Sequence, residues 1–174
     1  GQLVVFHDPT LERTTDGRGP VDQHSVAELK RLDAGAKFTR DGGRSFPWRG
    51  RGVTVSTFDE IVDALPHRLP LIIELKTPAA TEQLRQAVRR HGLAQRIIVA
   101  GFDPQATRPL RGAGFALGAS TPDVAALLPV ALLHLRARPK HVQALCLPQR
   151  WNGLPVPIAA LAPVAIRAAM ASSS

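Results

Sequence analysis

Three residues of this 174-residue chain stand out by type and position: His7, Glu74 and Lys76. His7 ends the short apolar run Leu3-Val4-Val5-Phe6 and is followed by Asp8-Pro9. An imidazole has its ordinary pKa near neutrality, so it can give or take a proton under mild conditions. Glu74 and Lys76 close the run Leu71-Ile72-Ile73-Glu74-Leu75-Lys76. Side chains two apart on a strand share a face, which puts an acid beside a base at the end of a buried strand. Charged groups are seldom buried without a reason. Here the reason is either a structural ion pair, with His7 as a loop residue, or a site. His24, His67, His91, His134 and His141 have no spacing that recommends them as ligands, and the single Cys146 excludes an internal disulfide.

The elements that must position these groups can be read from start and stop signals. Ser25-Val26-Ala27-Glu28 and Thr57-Phe58-Asp59-Glu60 are capping boxes, opening helices to about residues 33 and 65. A third helix is expected over 81–90 with Gly92 near its end, a fourth opens at Asp103-Pro104, and a fifth runs from Thr121-Pro122 to about residue 136. Strands are expected at 3–7, 71–76, 97–101, 115–118 and 142–147. Pro9 stops the first of them. Strands alternating with helices specify a parallel α/β sheet with right-handed crossovers, in which reactive groups sit at strand C-terminal ends. His7, Glu74 and Lys76 occupy such ends. The breaker-rich stretch 36–56 is a flap or a mobile insertion, and a mobile insertion is the expectation.

Composition sets the outer bounds. A chain of this length forms one domain with a sizeable core, since domains run roughly 100–200 residues, but it is short for a closed (β/α)8 barrel of about 250. The content of 44% hydrophobic residues excludes a disordered or fibrous class. Twenty-two Lys and Arg against 14 acids give a net charge of +8. Arg scattered along an Ala-, Arg- and Pro-rich chain indicates compositional habit more than a nucleic-acid surface, although the field favours a phosphate-bearing substrate. The apolar stretches 124–135 and 154–171 are interrupted by prolines and, in the second, by Arg167, so neither reads as a membrane span. Gly1 leads directly into a strand-like run with no signal-peptide pattern. The domain is expected to cover 1–167, with a frayed Ala/Ser tail over 168–174.

Assembled, the motifs resemble those of the glycerophosphodiester phosphodiesterase family. Val4-Val5-Phe6-His7-Asp8-Pro9-Thr10-Leu11-Glu12-Arg13-Thr14-Thr15-Asp16-Gly17-Arg18-Gly19 is similar to that family's VV-x-HD-x-x-L-x-RTT-x-G-x-G block. Thr57-Phe58-Asp59-Glu60 resembles its TLEE helix start, with Ser56 in place of Pro. The segment 71–76 resembles L-x-IE-x-K, and Ile97-Ile98-Val99-Ala100-Gly101-Phe102-Asp103 resembles IVSSFD with Ala-Gly for Ser-Ser. The resemblance implies a parallel (β/α) TIM-barrel type fold and hydrolysis of glycerophosphodiesters to glycerol 3-phosphate and an alcohol with Ca²⁺ or Mg²⁺. It implies His7 as one of two acid–base histidines, Glu74 as a metal-ligand carboxylate and Lys76 as a cation beside the phosphate.

The same resemblance implies an incomplete barrel of about five of eight strands. The family's HRG, PEN, E-x-D and WTVN motifs have no counterpart here. One carboxylate is too few for a hard cation that takes about six oxygens, and one histidine serves one end of a proton relay. Weak or absent activity and self-association through exposed strand edges are therefore expected. The expected partner is a small-molecule glycerophosphodiester, with no specific nucleic acid. A phospholipase D-type phosphodiesterase on the same barrel, or a non-catalytic basic fragment binding polyanions, are the alternatives.

Overall fold

Residues 1–133, 141–147, 149–151 and 153–161 are described by the computed structural model, and they fall into two units, Gly1–His67 and Arg68–Ser174. The expected tail over 168–174 lies outside the described residues.

In the first unit both capping boxes form. Ser25 Oγ accepts the Glu28 amide at 3.2 Å while the Glu28 carboxylate accepts the Ser25 amide at 2.7 Å, opening α1 (Val26–Leu29). Thr57 and Glu60 exchange the same pair of bonds at 3.3 and 2.9 Å to open α2 (Phe58–Ala64). These bonds satisfy amides that a helix start otherwise leaves without partners. The first helix is a turn shorter than its sequence suggests. Lys30, just past its end, places Nζ 2.6 Å from both Glu60 oxygens and so ties the two helices together. Leu11, Leu29 and Val55 form the buried centre, flanked by Val4, Phe6, Val21 and Leu32.

Segment 3–7 departs from the expected parallel strand. Val4 makes a single antiparallel bridge with Thr57. The Val5 amide donates to the Ser56 carbonyl and the Phe58 amide to the Leu3 carbonyl, both at 2.9 Å. These bonds use one edge of the segment within the unit, through an antiparallel contact rather than a parallel ladder. The stretch 36–56 carries its own framework. Asp33 accepts the amides of Gly35 and Gly50 at 2.8 and 2.7 Å. Asp41 accepts the Arg44 and Ser45 amides and the Ser45 and Thr39 hydroxyls at 2.7–2.9 Å.

The second unit contains the parallel sheet: β1 (Leu71–Glu74), β2 (Ile97–Ala100) and β3 (Ala116–Leu117), in that order. Between β1 and β2 lies α3 (Thr81–Arg90), which buries Leu84, Ala87 and Val88 and turns Glu82 and Arg85 outward. It ends before Gly92, whose φ of +63° suits a residue without Cβ. Asp103 caps α4 (Pro104–Thr107) by accepting the Gln105 amide at 2.8 Å. Thr81 Oγ1 donates to the Ala106 carbonyl at 2.8 Å and couples α3 to α4. After β3 comes α5 (Thr121–Leu132), opened by Asp123 accepting from the amide and hydroxyl of Ser120. The expected extension of this helix to 136 falls outside the described residues.

Segment 142–147 lies beside β3 but joins it by one parallel bridge, Gly118 to Ala144. The Leu117 amide is taken by the Gln143 side-chain carbonyl at 2.8 Å, which removes a rung from the ladder. Leu145 and Leu147 pack on a second buried cluster of Leu127, Ala131 and Leu161. A two-stranded antiparallel pair, β4 (Arg150–Trp151) and β5 (Leu154–Pro155), was not evident from the sequence.

Candidate functional site

His7 lies in the first unit, on the segment that precedes the loop 8–20. Its side chain is 72% exposed, and its Nδ1 is 2.7 Å from Asp8 Oδ1. Arg13 grips the same carboxylate with both ends of its guanidinium, Nη2 to Oδ1 at 2.9 Å and Nε to Oδ2. The Arg13 and His7 hydrogen bonds hold the Asp8 carboxyl down to about 2. An ionised carboxylate only accepts, so the shared proton belongs on His7 Nδ1. In the neutral ring this leaves the Nε2 lone pair free to take a proton. Asp8 and Arg13 join His7 in one network that type and spacing did not single out, although both lie in the motif that contains His7.

The rest of that motif holds the loop in shape. Leu11 and Thr15 are fully buried. Thr15 Oγ1 donates to the Leu11 carbonyl at 2.8 Å and accepts the Gly17 amide at 3.0 Å. A Cβ on Gly17 would stand 2.7 Å from Leu32 Cδ1, so a larger residue here would have to turn the Leu32 side chain aside. Glu12 closes the loop by accepting the Gly19 amide at 2.7 Å. Leu11, Thr15 and Gly17 therefore fix the turn that brings Arg13 back onto Asp8.

Glu74 and Lys76 lie in the second unit, at the C-terminal end of β1. They share a face as the strand period requires, and Lys76 Nζ is 2.8 Å from Glu74 Oε2. Both are about one-third exposed, 35% for Lys76 and 33% for Glu74. The row across the sheet from Glu74 is made of small residues. Ala100 is its register partner, and a Cβ on Gly118 would come within 2.8 Å of the Ala100 Cβ and 3.5 Å of Cys146 Sγ. Small neighbours leave the carboxylate and ammonium standing above a flat floor. Cys146 is half-buried, and its thiol is pushed up first by burial and then by the Glu74 charge, so it stays protonated and is a poor nucleophile. The structure thus brings Glu74 and Lys76 together; His7 belongs to the other unit.

Glu74 has the right donor chemistry for a hard divalent cation. One of its oxygens is engaged by Lys76, and among the described residues no group of three or more His, Cys, Asp or Glu side chains converges. These residues do not by themselves make a Ca²⁺ or Mg²⁺ site.

The parallel sheet with intervening helices, and charged groups at a strand's C-terminal end, define an incomplete α/β fold of TIM-barrel type. The sequence model of the glycerophosphoryl diester phosphodiesterase family matches residues 1–113, and the chain belongs to that family. A glycerophosphodiester phosphodiesterase of Caldanaerobacter subterraneus is 32% identical over 117 residues, covering 64% of this chain and 45% of the relative. One of Bacillus subtilis is 34% identical over 101 residues, covering 53% and 33%. The chain therefore spans a third to about half the length of these curated relatives. Among solved structures, the glycerophosphoryl diester phosphodiesterase domain of an uncharacterized Mycobacterium tuberculosis protein superposes with a TM-score of 0.69 at 28% identity, over 78% of this chain and 52% of that one. A phosphodiesterase of Oleispira antarctica in complex with the product sn-glycerol-3-phosphate gives a TM-score of 0.51 at 27% identity, over 76% and 55%.

Proposed function

We propose that residues 1–167 form part of a phosphoric diester hydrolase domain acting on glycerophosphodiesters, releasing glycerol 3-phosphate and an alcohol. The observation that carries this reading is the His7–Asp8–Arg13 network. It fixes one imidazole nitrogen and leaves the other for proton transfer, inside the motif block of a matched family. In this reading His7 moves a proton at Nε2 to or from an alcohol oxygen, and Asp8 orients the ring. Lys76 lies beside the phosphate, where a compact cation offsets developing negative charge. Glu74 is one oxygen donor to a Ca²⁺ or Mg²⁺ whose other ligands come from outside the Glu74–Lys76 pair. The Oleispira complex with glycerol 3-phosphate supports the substrate class.

The 174-residue chain is expected to turn over weakly or not at all, because Glu74 brings one carboxylate to a cation that takes about six oxygens. The test measures release of glycerol 3-phosphate from glycerophosphocholine with Ca²⁺, with Mg²⁺ and with EDTA, and also binding of glycerol 3-phosphate followed by NMR at Lys76 and His7. Binding that is lost in Lys76→Ala supports the reading. Brisk metal-dependent release would overturn the expected weakness, and neither binding nor release would sink the substrate assignment.

A further inference from the structure

The loop 37–53 has a composition and a shape that the roles proposed for His7, Glu74 and Lys76 do not account for. It holds five cations, Lys37, Arg40, Arg44, Arg49 and Arg51, against the single carboxylate of Asp41, a net +4 out of +8 for the whole chain. That carboxylate is turned inward onto its own loop, where its hydrogen bonds, those from Ser45 largest, hold it down to about 2. The cations are exposed, Lys37 donating to the Glu12 carbonyl and Arg40 lying 5.8 Å over the Phe38 ring, and three apolar side chains share the surface with them: Phe38 at 43%, Trp48 at 48% and Val53 at 39% exposure.

These apolar groups are held out by design of the backbone. A Cβ on Gly35 would meet the Trp48 carbonyl at 2.4 Å, so the Trp48 turn sits directly on a glycine. Arg49 donates from Nε to the Ala36 carbonyl at 2.8 Å and lies 3.9 Å over the Phe46 ring. The Ala34 amide donates to the Val53 carbonyl at 2.8 Å and the Gly50 amide to Asp33 at 2.7 Å. These bonds fix the path of the loop, on which Trp48 and Phe38 stand just under half exposed.

We propose that this loop is a docking surface for an anionic lipid bilayer, with Trp48 and Phe38 entering the headgroup boundary and the surrounding cations meeting lipid phosphates. Aromatic rings that are apolar in body favour that boundary, and basic clusters are drawn to anionic leaflets. A sulfated polysaccharide would satisfy the charges but leave the exposed rings in water, which is why the bilayer fits better. The inference does not depend on the role given to His7 or Glu74.

The test sediments the 174-residue chain with vesicles of phosphatidylcholine containing phosphatidylglycerol, and with vesicles of phosphatidylcholine alone. Strong, salt-sensitive partition onto the anionic vesicles is expected, falling about fivefold for each cation removed in Arg44→Gln/Arg51→Gln. Trp48→Ala, which keeps the Cβ, lowers vesicle partition several-fold and leaves retention on heparin unchanged. Brominated lipid in the anionic vesicles quenches tryptophan emission of the parent chain, and the quenching falls in Trp48→Ala, which leaves Trp151 as the emitter. Equal binding to both vesicle types, absence of quenching, or vesicle binding indifferent to Trp48→Ala would overturn the proposal; in the last case the patch is a site for soluble polyanions.

Discussion

At the scale of single residues, the consequential contact is the one between His7 and Asp8. A histidine side chain free in water favours the proton on Nε2, whereas a bond to an ionised carboxylate holds it on Nδ1. Nitrogen-15 NMR of the neutral ring is therefore expected to show His7 as the Nδ1–H tautomer. Asp8→Ala should return it to the ordinary preference, and a parent ring already carrying Nε2–H would remove Asp8 from its orienting role. If the chain turns over, His7→Ala costs about a hundredfold and Asp8→Ala about tenfold or more, the smaller loss reflecting orientation alone. The pH dependence has a definite sign. The Asp8 carboxyl is lowered from 3.8 to about 2 by Arg13 first and His7 second. Its contribution to stability is then complete above about pH 4 and is lost as pH falls through about 2. Carbon-13 titration of the Asp8 carboxyl checks this directly; a midpoint near 4 would mean that the Arg13 clamp does not form in solution. His7 was legible in the sequence because a histidine at the end of an apolar run is conspicuous. Arg13 was not, because its reach back to Asp8 depends on a loop whose path is set by Leu11, Thr15 and Gly17 rather than by any period.

At the scale of elements, the helix starts were legible and the strand pairings were not, for one physical reason. A capping box is closed within four residues, so Ser25 with Glu28 and Thr57 with Glu60 declare themselves locally. A strand declares only its apolar run and leaves its partner unspecified. Segment 3–7 accordingly reads as a strand yet spends its hydrogen bonds on 56–58, and 142–147 loses a rung to the side chain of Gln143. Where the sheet does form, its register is demanding. Gly118 sits in the row shared by Ala100, which faces Glu74 in register, and an added methyl would stand 2.8 Å from the Ala100 Cβ. Gly118→Ala is thus expected to lower stability by about 1–3 kcal/mol in denaturant unfolding. Combining it with Ala100→Gly should recover part of the loss, since the two substitutions share one contact. Simple additivity of the two would mean that the strands slide apart to accommodate the methyl.

At the scale of the whole chain, the face of β1 that carries Ile72 is expected to govern association in solution. Along β1 the side chains alternate, Leu71 and Ile73 half-buried, Ile72 and Glu74 exposed. Ile72 is 67% exposed, on the face that also carries Glu74 and Lys76. A branched apolar residue on an exposed sheet face is an invitation to association, opposed here by a net charge of +8. The two tendencies respond to salt with opposite sign. Screening weakens the mutual repulsion of cationic chains and leaves apolar contact intact, so added salt should strengthen self-association through this face. If ion pairs between copies drove it, salt would weaken it. Sedimentation velocity over a concentration series, at low and high salt, separates the two. Ile72→Thr keeps the β-branched shape that suits a strand while replacing the ethyl branch with a hydroxyl, and it is expected to shift the series toward the monomer without lowering the melting temperature much. A series unmoved by Ile72→Thr would place the contact elsewhere on the chain.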